Sequence, residues 1–600
     1  MGLAIHLLGV PRVERDGVAL PGPRGRKAWA VLAYLLRSTG PVSRHQLSSL
    51  LFEDAEDPLA AVRWNLSELR RVLGDAALRG ELLQVALEPA DDVDVRSVAC
   101  GTWSEALSAP GLGRELLEGM AFSSSPAFEV WLAAERRNLQ AAAEAVLREA
   151  ALAKLAAGAR QEACDLAARL VAHNPLEENY QALLVRSLAA AGDGVGAARQ
   201  VAICRDLFQR ELGVAPGPTL QAAERALTAS PMGRPASGRA AVAAQIEAGE
   251  AALCAGALEA GLQCLRRAIV EADDLGDALL RTRSRVALGG ALVRAARGQD
   301  EEGAIALHEA LAVGEEAASP CAAACRELGY VEFLRGRYER ALGWLDRGAL
   351  FAAGDRSEEA RIATVRGSIL TDTAHYGPAA SELTTAEALA MTHTDPRQQA
   401  YTLSMVGRAW LLRGDMDAAA AVLDRSIALA EHGATALLPW PQALRAEVDL
   451  LRGDLTAAQE RFEHAFALGC QLGDPCWEGI AARGLGLVAA RRGNASQAVE
   501  LLVDSVARCV RLPDAYLWGK AYALDALCGV AVAAAMPQAS VWIDELQKHS
   551  SRSGMRELTV RAHLHRASLG DAASAAAARA LAEQIDSPVL RRLAGVQATA

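Results

Sequence analysis

DPLAAVRWNLSELRRVLG, residues 57–74, is the stretch whose reading decides the fold of the N-terminal region. Asp57 has the chemistry of an N-cap. Pro58 stands at the first helical position, where its missing N–H costs nothing, and Gly74 follows as a stop. Between them Val62, Leu66, Leu69 and Leu73 recur at i, i+4, i+7 and i+11, an apolar stripe that must face a core. The opposite face carries Arg63, Ser67, Arg70 and Arg71, with Trp64 and Asn65 on its flanks. By itself such a helix reads equally well as a solvated surface helix, and its neighbours decide between the two.

Upstream, residues 3–20 read as short strands, with Asp16-Gly17 as a hairpin signal before Val18-Ala19-Leu20. PGPRGRK breaks that pattern. A helix is predicted over 27–37, burying Trp29, Leu32, Leu35 and Leu36, and a second over 44–52, capped by Ser43 and burying Leu47, Leu50 and Leu51. Downstream, ELLQVALE (81–88) reads as strand, and ADDVDV leads out of the domain. Strands, three helices and a further strand are the order of a winged helix, whose third helix enters the major groove.

LLGVPRVERDG, RGRKAWAVLAYLLRSTGPVSRHQLSSLLF and VRWNLSELRRVLG together resemble the DNA-binding domain of regulators of the Streptomyces antibiotic regulatory protein type. GRELLEGMAFSSSPAFEVWLAAERRNL (113–139), residues 169–200 and residues 205–227 resemble the bacterial transcriptional activation domain that follows in that family, so the resemblance covers about the first 227 residues. It implies a protein that binds double-stranded promoter DNA, activates transcription, contacts RNA polymerase and forms a homodimer. Two features depart from the family pattern. Glu68 stands where relatives carry a basic residue, and residues 79–95 leave room for only a short wing.

Roles follow from the helical face. Arg63, Asn65 and Ser67 are expected at base edges, near the helix N-terminus. Arg70, Arg71, Arg44 and the Arg24/Arg26/Lys27 turn are expected at phosphates. Residues 12–71 hold ten basic groups against seven acidic ones, a modest excess for a surface that must neutralise phosphates. A carboxylate at Glu68 would repel phosphate or accept from a cytosine amine. The alternative reading is a non-enzymatic interaction scaffold whose degenerate winged helix no longer binds DNA.

The polar segment SPMGRPASGR (230–239) is a linker, and repeats follow it. YVEFLRGRYERALGWLDRGALFA, RAWLLRGDMDAAAAVLDRSIALA, EVDLLRGDLTAAQERFEHAFALG and LVAARRGNASQAVELLVDSVARC each read as helix, glycine turn, then a helix bearing alanine near its start. Turns at Gly256, Gly298, Gly336, Gly377, Gly414, Gly453 and Gly493 give spacings of 42, 38, 41, 37, 39 and 40. These exceed the ~34-residue tetratricopeptide unit but keep its pattern. Gly158 and Gly192, inside the activation domain, are 34 apart. Such pairs must stack, which makes a solenoid with a groove for a protein or small-molecule effector.

The expected architecture is mainly α: a winged helix (1–98, α+β), a helical activation domain (99–229), a linker (230–240) and a tetratricopeptide-like α-solenoid (241–600), with 552–597 a degenerate repeat or cap. At 600 residues the chain is long enough for about three to five domains. The net charge of −11 argues against a nucleic-acid-binding coat but leaves room for one DNA-reading module. Eleven scattered cysteines match no metal or disulfide framework and read as reduced, small hydrophobes. The N-terminus lacks a basic segment of the signal-peptide kind, and the uncharged run 526–543 is interrupted by Pro537, so no membrane association and a cytoplasmic location are expected. No phosphate loop, catalytic triad or paired-carboxylate arrangement occurs, and His563 and His565 diverge on a helix; no enzyme, metal or cofactor is expected.

Overall fold

A computed structural model of the chain describes all residues other than 1, 39, 75–77, 79–81, 89–90, 229–237, 255–256, 297, 315–317, 393–394, 513–514 and 597–600. The N-terminal strands β1 (Leu3–His6), β2 (Arg12–Arg15) and β3 (Val18–Leu20) form an antiparallel meander. Its second turn is the predicted Asp16-Gly17, both at positive φ (52° and 77°), the geometry that matches strand twist in a two-residue hairpin. Three helices follow, α1 (Arg26–Arg37), α2 (Arg44–Leu51) and α3 (Pro58–Leu73), with β4 (Val42–Ser43) just before α2. β4 pairs with β5 (Leu82–Leu83), and Leu78 bridges Val85, so the wing is a short hairpin from Leu78 to Val85. Its tip, and the start of the predicted strand at 81, lie outside the described residues.

The segment read as an exit is instead structural. β6 (Asp92–Val93) lies parallel to β1, giving the sheet order β3-β2-β1-β6. Asp94, which opens α4 (Asp94–Cys100), then turns its buried carboxylate onto the Leu7 and Leu8 amides at 2.9–3.0 Å. One continuous core runs from Leu3 through Leu32, Leu66 and Val93 to Phe128, Leu132 and Ala143. The apolar interior therefore does not stop at residue 98. After α5 (Trp103–Leu107), the helix α6 (Pro126–Ala156) spans 31 residues and leads into the pairs α7 (Arg160–His173)/α8 (Glu178–Ala190) and α9 (Gly194–Leu212)/α10 (Pro218–Thr228).

From Arg239 onward nine antiparallel helix pairs are described, the last being Arg556–Ser568 with Ala572–Ala582. The segment expected to be a degenerate repeat or cap thus holds a full pair and a further short helix, Pro588–Leu593. Turn glycines 298, 336, 414, 453 and 493 all have positive φ. One turn departs from the sequence reading: Gly377 lies inside the first turn of the helix Tyr376–Ala390, and the left-handed residue there is Ala374 (φ 57°). The expected turn at Gly256 lies outside the described residues. In the next-to-last pair the turn at Ala535-Met536-Pro537-Gln538 is made by Ala535 (φ 50°). Alanine in that region is strained by about 1 kcal/mol, and Ala535 is exposed. Ala535→Gly is therefore expected to raise stability by up to about 1 kcal/mol in thermal melts. The repeats share a second feature. A glycine on the first helix meets a leucine on the second, as in Gly367/Leu383 and Gly407/Leu423, where an added Cβ would sit 2.5 Å from the leucine.

The repeats close upon the N-terminal domains. Arg148 of α6 donates to Glu301 (2.7 and 3.0 Å) and Glu332 (2.8 Å), and Glu149 accepts two bonds from Arg340. Farther up α6, Glu144 pairs with Arg552 at 2.7 Å and Arg137 donates to Ser551. α1 joins the same seam: Arg37 bonds Glu135 and Glu339, and Gln584 reaches the Tyr34 hydroxyl at 3.3 Å. α6 is thus held between the second and third repeats on one side and the last two on the other.

Around Asp372 the solenoid lining is filled by its own side chains. Buried Asp372 accepts from Tyr338 (2.9 Å) and Tyr516 (2.8 Å) and pairs with Arg408 at 2.6 Å, while Trp518 stacks on Tyr516 and Tyr522. Cavities of about 20 Å³ beside Tyr376, Trp410 and Arg413, and of about 10 Å³ beside Asp372, Trp518 and Glu557, are the size of one water at most. His565 bonds Asp525 at 2.8 Å while His563 faces Ser574, so the two histidines diverge. Among the described residues no helix is long and apolar enough to cross a membrane.

Candidate nucleic-acid interface

α3 is built as its sequence dictates. The Asp57 carboxylate accepts from the Ala60 amide at 2.8 Å, Pro58 occupies the first turn, and Gly74 ends the helix at φ 103°. Val62, Leu66, Leu69 and Leu73 are buried in the shared core. Leu59, Arg63, Trp64, Ser67 and Arg71 face solvent. The domain is held to the rest of the chain through α1, α2 and the sheet, so the outer face of α3 stays uncovered while the domain is docked.

One expected reader does not belong there. Asn65 is only 4 % exposed, and its amide donates back to the Ala61 carbonyl at 2.8 Å. The reason is periodicity: residue 65 is three beyond Val62 and four before Leu69, which places it on the core stripe. Arg63 and Ser67 remain exposed, Arg63 lying 3.6 Å from Asp57.

The expected phosphate set divides. Arg70 is half-buried and donates to the Leu78 carbonyl at 3.1 Å, bracing the base of the wing. Arg71 bonds both Glu68 (2.9 Å) and the Gly22 carbonyl (2.9 Å). Arg24 and Arg26 have exposed side chains, and Arg44 is half-buried at the start of α2. Lys27 pairs with Asp54 at 3.1 Å and lies over the Phe52 ring. Arg37, counted in the basic excess, points inward to Glu135 and Glu339 and leaves the surface.

Glu68, read as a departure from a DNA-binding pattern, has a structural task. Its carboxylate accepts from the Arg71 side chain and from the Arg24 amide at 3.1 Å, tying α3 to the glycine-rich turn. The Arg71 bond first, then the Arg24 amide, hold its pKa below the usual carboxylate value. Its charge is spent on the protein's own arginine and amide, not aimed at phosphate.

Residues 86–228 match the model of the bacterial transcriptional activator domain. That match identifies the helical region after the wing as such a domain and puts the chain in the broad class of transcriptional regulators. No curated protein sequence matches the chain. Among solved structures, it is similar to Mycobacterium tuberculosis EmbR in complex with a low-affinity phosphopeptide, at 23% identity and a TM-score of 0.30, covering 38% of this chain and 66% of that one. The chain thus spans just under two thirds of that relative's length. It is also similar to a Rap protein complexed with competence and sporulation factor (12% identity, TM-score 0.44, 59% of this chain and 99% of that one). A third similar structure is aspartyl phosphate phosphatase F from Bacillus subtilis (12%, 0.34, 60% and 98%).

Proposed function

We propose that the chain is a DNA-binding transcriptional activator of the Streptomyces antibiotic regulatory protein type. In this reading α3 reads promoter DNA, and the solenoid receives the signal that governs it. The observation that carries the reading is the uncovered outer face of α3, with Arg63 and Ser67 on it and the guanidiniums of Arg24, Arg26 and Arg71 around it. Arg63 and Ser67 contact base edges. Arg24, Arg26, Lys27, Arg44 and Arg71 contact phosphates, and Arg70 acts through the wing it braces. RNA polymerase and a second copy of the chain are the partners at a promoter. The effector is a protein segment or small ligand that engages the repeats by displacing side chains from the filled lining.

In vivo DNA occupancy tests target and function together: discrete peaks upstream of genes are expected, and their absence favours the interaction scaffold. Arg63→Ala is expected to lose sequence discrimination by about 1–3 kcal/mol, the worth of a bidentate base contact. Competition between cognate and scrambled duplexes measures it, and an unchanged preference removes Arg63 from the reading set.

A further inference from the structure

We propose that Trp64 reads a thymine methyl group in the major groove and so sets part of the sequence preference. This rests on the DNA-binding reading above. Trp64 is 51 % exposed on α3, whereas the other tryptophan of the winged helix, Trp29, is buried in its core. An indole left in water contributes little to stability, so the fold does not explain it. Its ring nevertheless has a neighbour on one side. The ring lies over the turn at Gly25, where a Cβ would stand 3.7–3.8 Å from its edge carbons, and Gly25 adopts φ +82°, a conformation with no side chain to cover the indole.

Its surroundings name the occupant. Arg63 precedes it, Ser67 lies one turn on, and exposed Arg24, Arg26 and Arg71 stand around the same face. An apolar centre in a rim of guanidiniums complements a surface that is anionic at its edges and apolar at one place within, which is a duplex with its phosphates outside and a thymine methyl in the major groove. The only apolar group a base pair shows there is that methyl. Trp64 also falls in the N-terminal half of α3, the half of a recognition helix that reaches base edges.

The test uses the full chain and a duplex enriched by it from a random pool. Each thymine is replaced in turn by deoxyuridine, which removes the methyl and nothing else. The wild-type chain is expected to lose about three- to fivefold in affinity at one or two positions, the worth of one buried methyl. Trp64→Ala is expected to bind more weakly and to be indifferent to the same replacement, with an unchanged salt slope because no charge is removed. Trp64→Phe keeps part of the discrimination. Because the side chain is exposed, an unchanged thermal melt shows that the variant is folded. A wild-type chain indifferent at every thymine, or a Trp64→Ala chain that still discriminates, overturns the proposal while leaving DNA binding intact. If the pool yields no enriched duplex, the DNA-binding reading itself fails and this inference with it.

Discussion

Arg148→Ala is expected to release α6 from the repeats at a cost of about 3–5 kcal/mol. The Arg148 side chain is 2 % exposed and divides its guanidinium between two carboxylates, Glu301 and Glu332, that belong to the second and third repeats. Glu301 would keep Arg335 at 2.8 Å, but Glu332 would be left with Arg337, at 3.4 Å. A buried carboxylate stripped of its main counter-charge is costly because neither water nor another donor can replace what was lost. Arg148→Lys should recover little, since an ammonium cannot present the planar fork that serves both partners. A global melting temperature averages over the domains and does not locate the opening at α6. Peptide-resolved hydrogen exchange reports the opening directly: amides of α6 should exchange on the order of 100-fold faster or more. Exchange unchanged within a few-fold would show that the seam is held without Arg148, by apolar packing and by pairs such as Glu149–Arg340 and Glu144–Arg552.

Lowering the pH from 7.5 to 5 is expected to destabilise the repeats by several kcal/mol. His308, edge-on to Trp344, has its pKa lowered to about 3 by burial and then by the nearby Arg148 and Arg347 charges. Burial, with neighbouring arginines, also lowers His375 and His563 to about 4. The unfolded chain takes up a proton on each near pH 6.5, which the folded chain refuses. Their stabilising effect is therefore complete above that value and is lost as the pH falls toward 4, at about 2 kcal/mol per histidine by pH 5. The depressed carboxylates act in a different window. Glu545, held at about 2 by hydrogen bonds from His549 and then Lys520, and Asp525, held at about 2 against burial by Arg561 and His565, contribute until the pH falls below about 4. Urea titrations of the chain at pH 7.5, 6 and 5 should thus show midpoints falling steadily. His308→Gln, which cannot titrate, should flatten the slope by about a third. A constant midpoint over this range would contradict the neutral, buried state of these rings.

What the sequence disclosed depended on how local the signal was. Asp57, Pro58, Gly74 and the stripe at 62, 66, 69 and 73 act within a few residues of one another, and α3 folds as they dictate. The same arithmetic carried one step further would have put Asn65 on the core side. β6 escaped notice because a two-residue strand has no periodicity, and its pairing with β1 depends on Asp94 meeting amides 86 and 87 residues away. The seam around α6 was illegible for a related reason. Arg37 and Glu339, or Arg148 and Glu332, are ordinary charged residues until the repeats bring them together, and separations of 302 and 184 residues leave no pattern to read. At Gly377 the sequence offered a glycine near the expected phase, but the chain turns three residues earlier at Ala374. In the interface, Glu68 looked like a lost phosphate contact because its partners, Arg71 and the Arg24 amide, meet only once the 22–26 turn packs on α3.

In the reading proposed above, α3, with the turn and wing around it, binds duplex DNA while docked on the repeats. The affinity of the full chain for duplex DNA as a function of salt tests this reading. Log K is expected to fall linearly with log salt, with a slope equivalent to about 3–6 phosphates. Arg71→Ala is expected to lower that slope by about one, while Arg63→Ala chiefly erases sequence preference. Affinity absent at low salt, or a slope untouched by both substitutions, would contradict it.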